Sequence, residues 1–596
     1  MNSVRVYFLA FVSLVAILSV VFATSQLDAA EHVRVKRSGG GAPSGGDESN
    51  DKTEDETIGI QLNDTEWISG KQWYLEKTKS HTFQTLNARV AWEQCVTGKG
   101  VNVAIVANSI IQNNPDLHNN YEAKISYGPF NKTGSSSLNI NPADKATQCA
   151  GIIAAGANHF CGVGVAFDAK IVGEQMNDKP SDVKLAEALT EHSNKVDVIL
   201  NILEHTAISP IGQKTMQAIE TDIKQGRKSK GTILVTPVGD LGTSCSFNGF
   251  INRPESIAVS AIRRNGFKLT DGNHCSAVMA TAYSKNQQDT DPIVTVTGNE
   301  GCTEDVAGSA PAASFAAGII ALALEANPDL SWRDVQHLIV QTSTSKNVRF
   351  NPNDFVKNQQ GISVSPSYGF GLMDAGKMVK LAEVWKPVPT ANVCVLKSRT
   401  QTISVNETSC PGDGEIHYLE HVLVHIKTTL TRCDEGSLHL HLVSPAGTKS
   451  ALFSGGIKGA TRATVDESIL SVGFWAENPI GSWKLEFANG CEGLVHEWQL
   501  EIRGTIDSPS ANQNLTSMNV KTRPCPYKSS LAIKHGGKID FTPLYIFIVL
   551  LLVVTTIGLL IVTYRRCWGS KVKGLIHAEF RAVPTTDVEE SAPTSL

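Results

Sequence analysis

The chain has 596 residues, 41% apolar and 19% charged, with a formal net charge of -5. That is enough material for more than one buried core. So small a charge gives no reason to expect nucleic acid or another strongly charged partner.

Residues 1–23 begin with Arg5 and continue through an apolar run, Phe8 to Phe22, to Ala23 in a Val-Phe-Ala context. This predicts a signal peptide, with an uncleaved signal anchor as the alternative. Residues 24–57 form a linker that carries Arg34-Val35-Lys36-Arg37 and then a Gly/Ser-rich and acidic stretch unable to build a core. The basic run is either a processing site after Arg37 or a solvated charge cluster.

From residue 98 onward, apolar segments alternate with amphipathic ones. Strands are predicted at Val101–Val106, Ala166–Val172, Val196–Leu203, Thr232–Pro237 and Ser256–Ile262. Such alternation implies a parallel α/β domain. A buried helix opens near Gly308 with a run of small residues, and Ser331…Asp334 predicts a capped helix whose Val335, Leu338, Ile339 and Thr342 face a core. Residues 387–507 change to short alternating strands such as Leu438–Val443, separated by turns, which reads as a β-sandwich.

Residues 508–540 form a polar stalk, and 541–564 carry no charge over a bilayer's width, which predicts one transmembrane helix. Arg565, Arg566, Lys571 and Lys573 place the tail, 565–596, in the cytoplasm. The expected protein is therefore type I, in the Golgi and secretory pathway or at the cell surface. Glycosylation acceptors at Asn63, Asn131, Asn406 and Asn514 all fall on the lumenal side. Eleven of the twelve cysteines precede the span, so at least one lumenal thiol stays unpaired or pairs between chains.

Gln72-Trp73-Tyr74-Leu75, Gly98 to Val106, Asn114-Pro115-Asp116-Leu117, Cys161 to Ala166 and Ser367 to Gly376 occur in order over some three hundred residues. Together they resemble the subtilisin-like (peptidase S8) domain of kexin/furin proprotein convertases. Ser444-Pro445-Ala446-Gly447-Thr448 and Asn478 to Glu486 resemble the P domain that follows it. The resemblance implies an S8 domain over 58–386 and a P (Homo B) domain over 387–507. The fold class is then α/β, a subtilisin-like parallel-sheet domain followed by an all-β sandwich, plus the membrane helix.

A serine protease of this kind needs an aspartate, a histidine and a serine in that chain order. The resemblance places Ala107, Lys145 and Ala310 at those positions and Asp240 where the oxyanion donor stands. A Ser309/Lys145 pair is the substitute to be weighed, since a buried lysine can act as a base. One residue's shift at a helix start, however, turns a side chain by about a third of a turn. The expectation is a catalytically dead convertase homologue, not an enzyme, with a binding or regulatory role. Its partner would be a secreted or membrane protein such as an active convertase or its substrate. The alternatives are an active serine endopeptidase that processes proproteins at basic sites, and an adhesion or receptor module.

The resemblance also implies disulfides Cys161–Cys302, Cys245–Cys275 and Cys394–Cys410, with a further bridge between Cys433 and Cys491, and leaves Cys149 free. It implies a structural calcium held by Asp116 and Asn158, against the plainer reading of Asp116 as a turn cap.

Overall fold

The computed structural model describes residues 62–509, less 77–82, 127–144, 177–179, 192–193, 204–207, 346–353, 432–437, 456–461 and a few shorter internal stretches, together with 555–562 and 565. Six parallel strands form the central sheet: β1 (Asn102–Ala107), β2 (Lys170–Gln175), β3 (Val198–Asn201), β4 (Ile233–Pro237), β5 (Ser256–Ile262) and β6 (Val278–Tyr283), in the order β2-β1-β3-β4-β5-β6. β5 and β6 are buried at every position, the pattern of strands covered on both faces. The principal helices are α1 (Lys145–Ala154), α2 (Asp182–Thr190), α3 (Gln213–Ser229), α4 (Ser309–Ala326), α5 (Trp332–Thr342) and α6 (Ala375–Val384).

Most predicted strands are present, but the one expected at Ala166–Val172 begins four residues later, at Lys170. Val165 to Asp168 make a turn instead, closed by the Ala169 N–H donating to the Ala166 carbonyl at 2.8 Å. An apolar run reads alike in a buried turn and a buried strand, so periodicity cannot place that boundary. Strand β6 (VMATAY) is short and buried at every position, so it shows no in–out alternation and is not predicted from the sequence. Ser331 and Asp334 close the predicted capping box at the start of α5.

Helix α4 runs through the middle of the domain with almost every residue buried. It is the one described helix long and apolar enough to cross a membrane, but its burial identifies it as a core helix. Alanine and glycine permit that depth: a Cβ on Gly318 would lie 2.8 Å from the Val165 Cβ. Most of the predicted span at 541–564 lies outside the described residues; residues 555–562 are helical and exposed.

The second domain is a sandwich of two antiparallel four-stranded sheets. Its strands are β7 (Asn392–Ser398), β8 (Thr402–Val405), β9 (Tyr418–Thr431), β10 (Leu438–Val443), β11 (Lys449–Gly455), β12 (Arg462–Ser471), β13 (Gly481–Ala488) and β14 (Glu492–Thr505). The sheets are ordered β7-β14-β9-β12 and β8-β13-β10-β11. Trp483, Trp498, Leu442, Leu485 and Leu500 fill the space between them. Glu420 on β9 is buried against α5, accepting from Arg333 Nε at 2.8 Å and pairing with His337 Nε2 at 2.8 Å. The Ser276 and Ser246 hydroxyls donate to the Leu470 and Leu452 carbonyls at 2.6 and 2.7 Å. Polar side chains buried at the junction thus find partners across it.

Disulfides Cys161–Cys302, Cys245–Cys275 and Cys394–Cys410 are formed, and Cys149 is free and buried. Cys95 is also disulfide-bonded, a role the sequence reading had not given it. Cys433, Cys491, Asn131, Asn514, Arg37 and the signal segment lie outside the described residues; Asn63 and Asn406 are exposed.

Candidate functional site

In an open parallel sheet, ligands gather at the carboxyl ends of the strands. Ala107 ends β1, Lys145 opens α1, and Ala310 stands in the first turn of α4. The loop after β1 is fastened to α1 by the Ile111 N–H, which donates to Thr147 Oγ1 at 2.9 Å. After β4 the chain turns through Gly239, at φ +92°, into Asp240. Asp240 Oδ2 accepts the Ser309 N–H at 3.0 Å and the Ser309 hydroxyl at 3.1 Å. The Gly239 N–H in turn donates to Ser309 Oγ at 3.2 Å.

Asp240 is thus turned onto the amino end of α4, where a carboxylate meets unsatisfied N–H groups and the positive end of the helix dipole. Burial raises its carboxyl above the usual range, opposed by the two Ser309 bonds and the positive charge of Lys145. Gly308 sits at φ +92°, and a Cβ there would lie 2.6 Å from Asp240 Oδ2, so both the backbone and the close approach call for glycine. The structure therefore links Lys145, Asp240 and the start of α4, with Ala107 at the neighbouring strand end. Position 310 presents a methyl group. The adjacent Ser309 is 2% exposed, and its hydroxyl is engaged on both sides.

At the end of the strand predicted over Val196–Leu203, Ile202 and Leu203 are buried, and 204–207 lie outside the described residues.

Asp116 and Asn158 do come together, and a third residue joins them. Asp64, fully buried, accepts the Asn158 and His159 N–H groups through Oδ1 at 2.9 and 3.2 Å, while its Oδ2 has no hydrogen-bond partner. Neither oxygen of Asp116 completes a hydrogen bond. Burial pushes the Asp116 carboxyl up to about 8, the Asn158 amide and the Gly162 N–H easing its charge and Asp64 adding to the strain. Asn158 Oδ1 accepts the Phe160 N–H at 2.9 Å and its Nδ2 donates to the Pro115 carbonyl at 3.1 Å, so this side chain shapes the loop. Two buried carboxylates close enough to repel each other, with orphaned oxygens, suit a hard, oxygen-liganded cation such as calcium. Asp64 was missed because it lies far from Asp116 in sequence, inside an Asn-Asp-Thr triplet that reads as a glycosylation acceptor. Among the described residues no three His, Cys, Asp or Glu side chains converge as a ready metal cage.

Residues 98–371 match the Subtilase family and residues 419–502 the proprotein convertase P domain. The chain therefore joins a subtilisin-like S8 domain to a P domain. It is homologous to the furin/kexin proprotein convertases. It is 34% identical to human proprotein convertase subtilisin/kexin type 6 over 77% of this chain and 51% of the relative. It is 34% identical to human furin over 73% of this chain and 57% of furin, and 34% identical to Drosophila melanogaster furin-like protease 2 over 74% of this chain and 28% of that relative. The chain spans about half or less of the length of these relatives. A serine protease of Aeromonas sobria, solved with a chaperone, superposes with a TM-score of 0.64 at 20% identity, covering 76% of this chain and 98% of that one, and supports the fold.

These comparisons correct the expectation that the chain is not an enzyme. The matched domain is that of a peptidase family and the relatives are named as proteases and convertases, so kinship points to the serine protease class.

Proposed function

We propose that this chain is a convertase-family protein of the secretory pathway or cell surface. Its groove at the carboxyl ends of β1 and β4 holds an extended segment of a secreted or membrane partner, an active convertase or one of its substrates. The observation that carries this reading is the Ser309–Asp240 linkage. It fixes the amino end of α4, which on this reading forms one wall of the groove, with the small Ala310 side chain beside it. On this reading Ala107, Lys145 and Ala310 occupy the triad-equivalent positions and Asp240 the oxyanion-equivalent one. Lys145 then offers an ammonium to a carbonyl or carboxylate of the bound segment. The type I arrangement, with a single span over 541–564, would hold the groove on the lumenal side, and calcium at Asp64 and Asp116 would brace the loop beside α1.

A second reading, a serine endopeptidase that cuts proproteins at basic sites, is favoured by the names of the relatives. It requires the Ser309 hydroxyl to leave Asp240 and reach a peptide carbonyl, with Lys145 or Asp240 taking its proton. Purified full-length protein treated with a fluorophosphonate probe and with basic fluorogenic peptides separates the two. Labelling and turnover abolished by Ser309→Ala establish the peptidase. Saturable retention of a peptide establishes the holding groove, whichever way the turnover assay falls.

A further inference from the structure

We propose that His439 and His441 on the P domain form a two-imidazole site for a divalent transition-metal ion of the zinc class. The argument begins with the strand. In Leu438-His439-Leu440-His441-Leu442, Leu440 and Leu442 are buried in the sandwich core, so the alternating histidines fall together on the opposite face. Their rings stand side by side, centroids 6.4 Å apart and planes 19° from parallel, and both side chains are half-buried.

One ring nitrogen of the pair is unclaimed. His441 Nδ1 is buried and has no hydrogen-bond partner. Small residues flank the pair, Ser454 opposite His439 and Ala451 opposite His441, and leave room for the rings to lean together. Zinc–imidazole bonds of about 2.0–2.1 Å require nitrogens roughly 3–4 Å apart, so the site as proposed requires χ rotation of the two side chains.

Glu486 lies opposite His441 on β13, but Lys484 at 2.9 Å and Lys449 at 3.1 Å hold its carboxylate. The protein therefore supplies two nitrogens and water the remaining positions. Imidazole selects zinc, copper or nickel over calcium and magnesium, which separates this site chemically from the carboxylates of Asp64 and Asp116.

The test is a calorimetric titration of the chelator-stripped full-length protein with zinc chloride alone, in saturating calcium. One zinc per chain, weakened at least tenfold by His439→Gln and by His441→Gln but unchanged by His425→Gln, is expected. His425 is a suitable control because it is bonded to Ser468 and Asp466 on the other sheet. Thermal melts without zinc report folding, and the half-exposed position of His439 keeps that variant informative if His441→Gln is unstable. Absence of zinc binding, or binding that the His439→Gln/His441→Gln pair leaves intact, overturns the proposal.

Discussion

Ser309 gives both its backbone N–H and its hydroxyl to one oxygen of Asp240, at 3.0 and 3.1 Å, and so joins the loop after β4 to the first turn of the central helix. Removing the hydroxyl by Ser309→Ala leaves a buried carboxylate short of one donor and should lower stability by about 1–3 kcal/mol. Asp240→Asn keeps an acceptor but loses the charge–dipole attraction and should cost about 0.3–1 kcal/mol. Urea denaturation of the two variants measures both, and a larger loss for Asp240→Asn than for Ser309→Ala would show that the charge, and not the hydroxyl, dominates.

Asp116 makes stability depend on pH and on calcium together. Its buried carboxyl is raised to about 8 without a cation. The folded state then favours the protonated form, so stability is full below about pH 4 and falls as pH rises toward 8. Calcium should reverse the loss by binding only the folded state. Asp116→Asn should therefore stabilise the chelated protein at pH 7.5 and abolish the calcium-dependent rise in melting temperature. Melts with and without calcium check both effects.

Glu174, buried on β2 and raised to about 9 by burial and by the Glu191 and Asp222 charges, carries the same sign without a cation. Glu174→Gln should raise the melting temperature at pH 8 and change it little at pH 4. A scan at the two pH values decides it.

At the domain junction the signs are opposite. Glu420, almost wholly buried, is held well below the carboxylate range by its bonds to His337 and Arg333, which outweigh burial. Its contribution is present above about pH 4.5 and is lost as pH falls further. His421, packed edge-on to Trp475 at 5.4 Å, is driven down to about 3 by burial, so folding demands the neutral ring. Its contribution is full above about pH 6.5 and declines on acidification toward 3. His421→Phe should flatten the acid limb of the stability profile between pH 6.5 and 4. Arg333→Ala should cost about 3–5 kcal/mol at neutral pH, because it leaves Glu420 buried with one partner fewer.

How much of this was legible in the sequence follows from the reach of each signal. Strand β1, the capped α5, the β10 alternation and three disulfides rest on local pattern or on motif, and all are present. The start of β2 and the existence of β6 were not legible, since small apolar residues serve turns, helices and buried strands alike. At the candidate site, Ala107, Lys145, Asp240 and Ala310 are legible one by one. The orientation of Asp240 toward Ser309 was not, because it is a tertiary contact across 69 residues. Asp64 and Asp116, like Arg333 and Glu420, became partners only once the chain was folded. The family assignment drew on motifs spread over the whole chain and was the most secure part of the reading, whereas the inference from three replaced side chains to the absence of an enzyme ran against that kinship.

The groove reading is tested most directly by equilibrium binding of the full-length chain to purified furin and to purified furin substrates, beside an Ala310→Trp variant whose indole fills the space next to Ser309. The account predicts saturable binding to at least one of these partners, weakened at least tenfold by Ala310→Trp with the melting temperature preserved. Binding that the tryptophan leaves unchanged, or no binding to any of them, would contradict it.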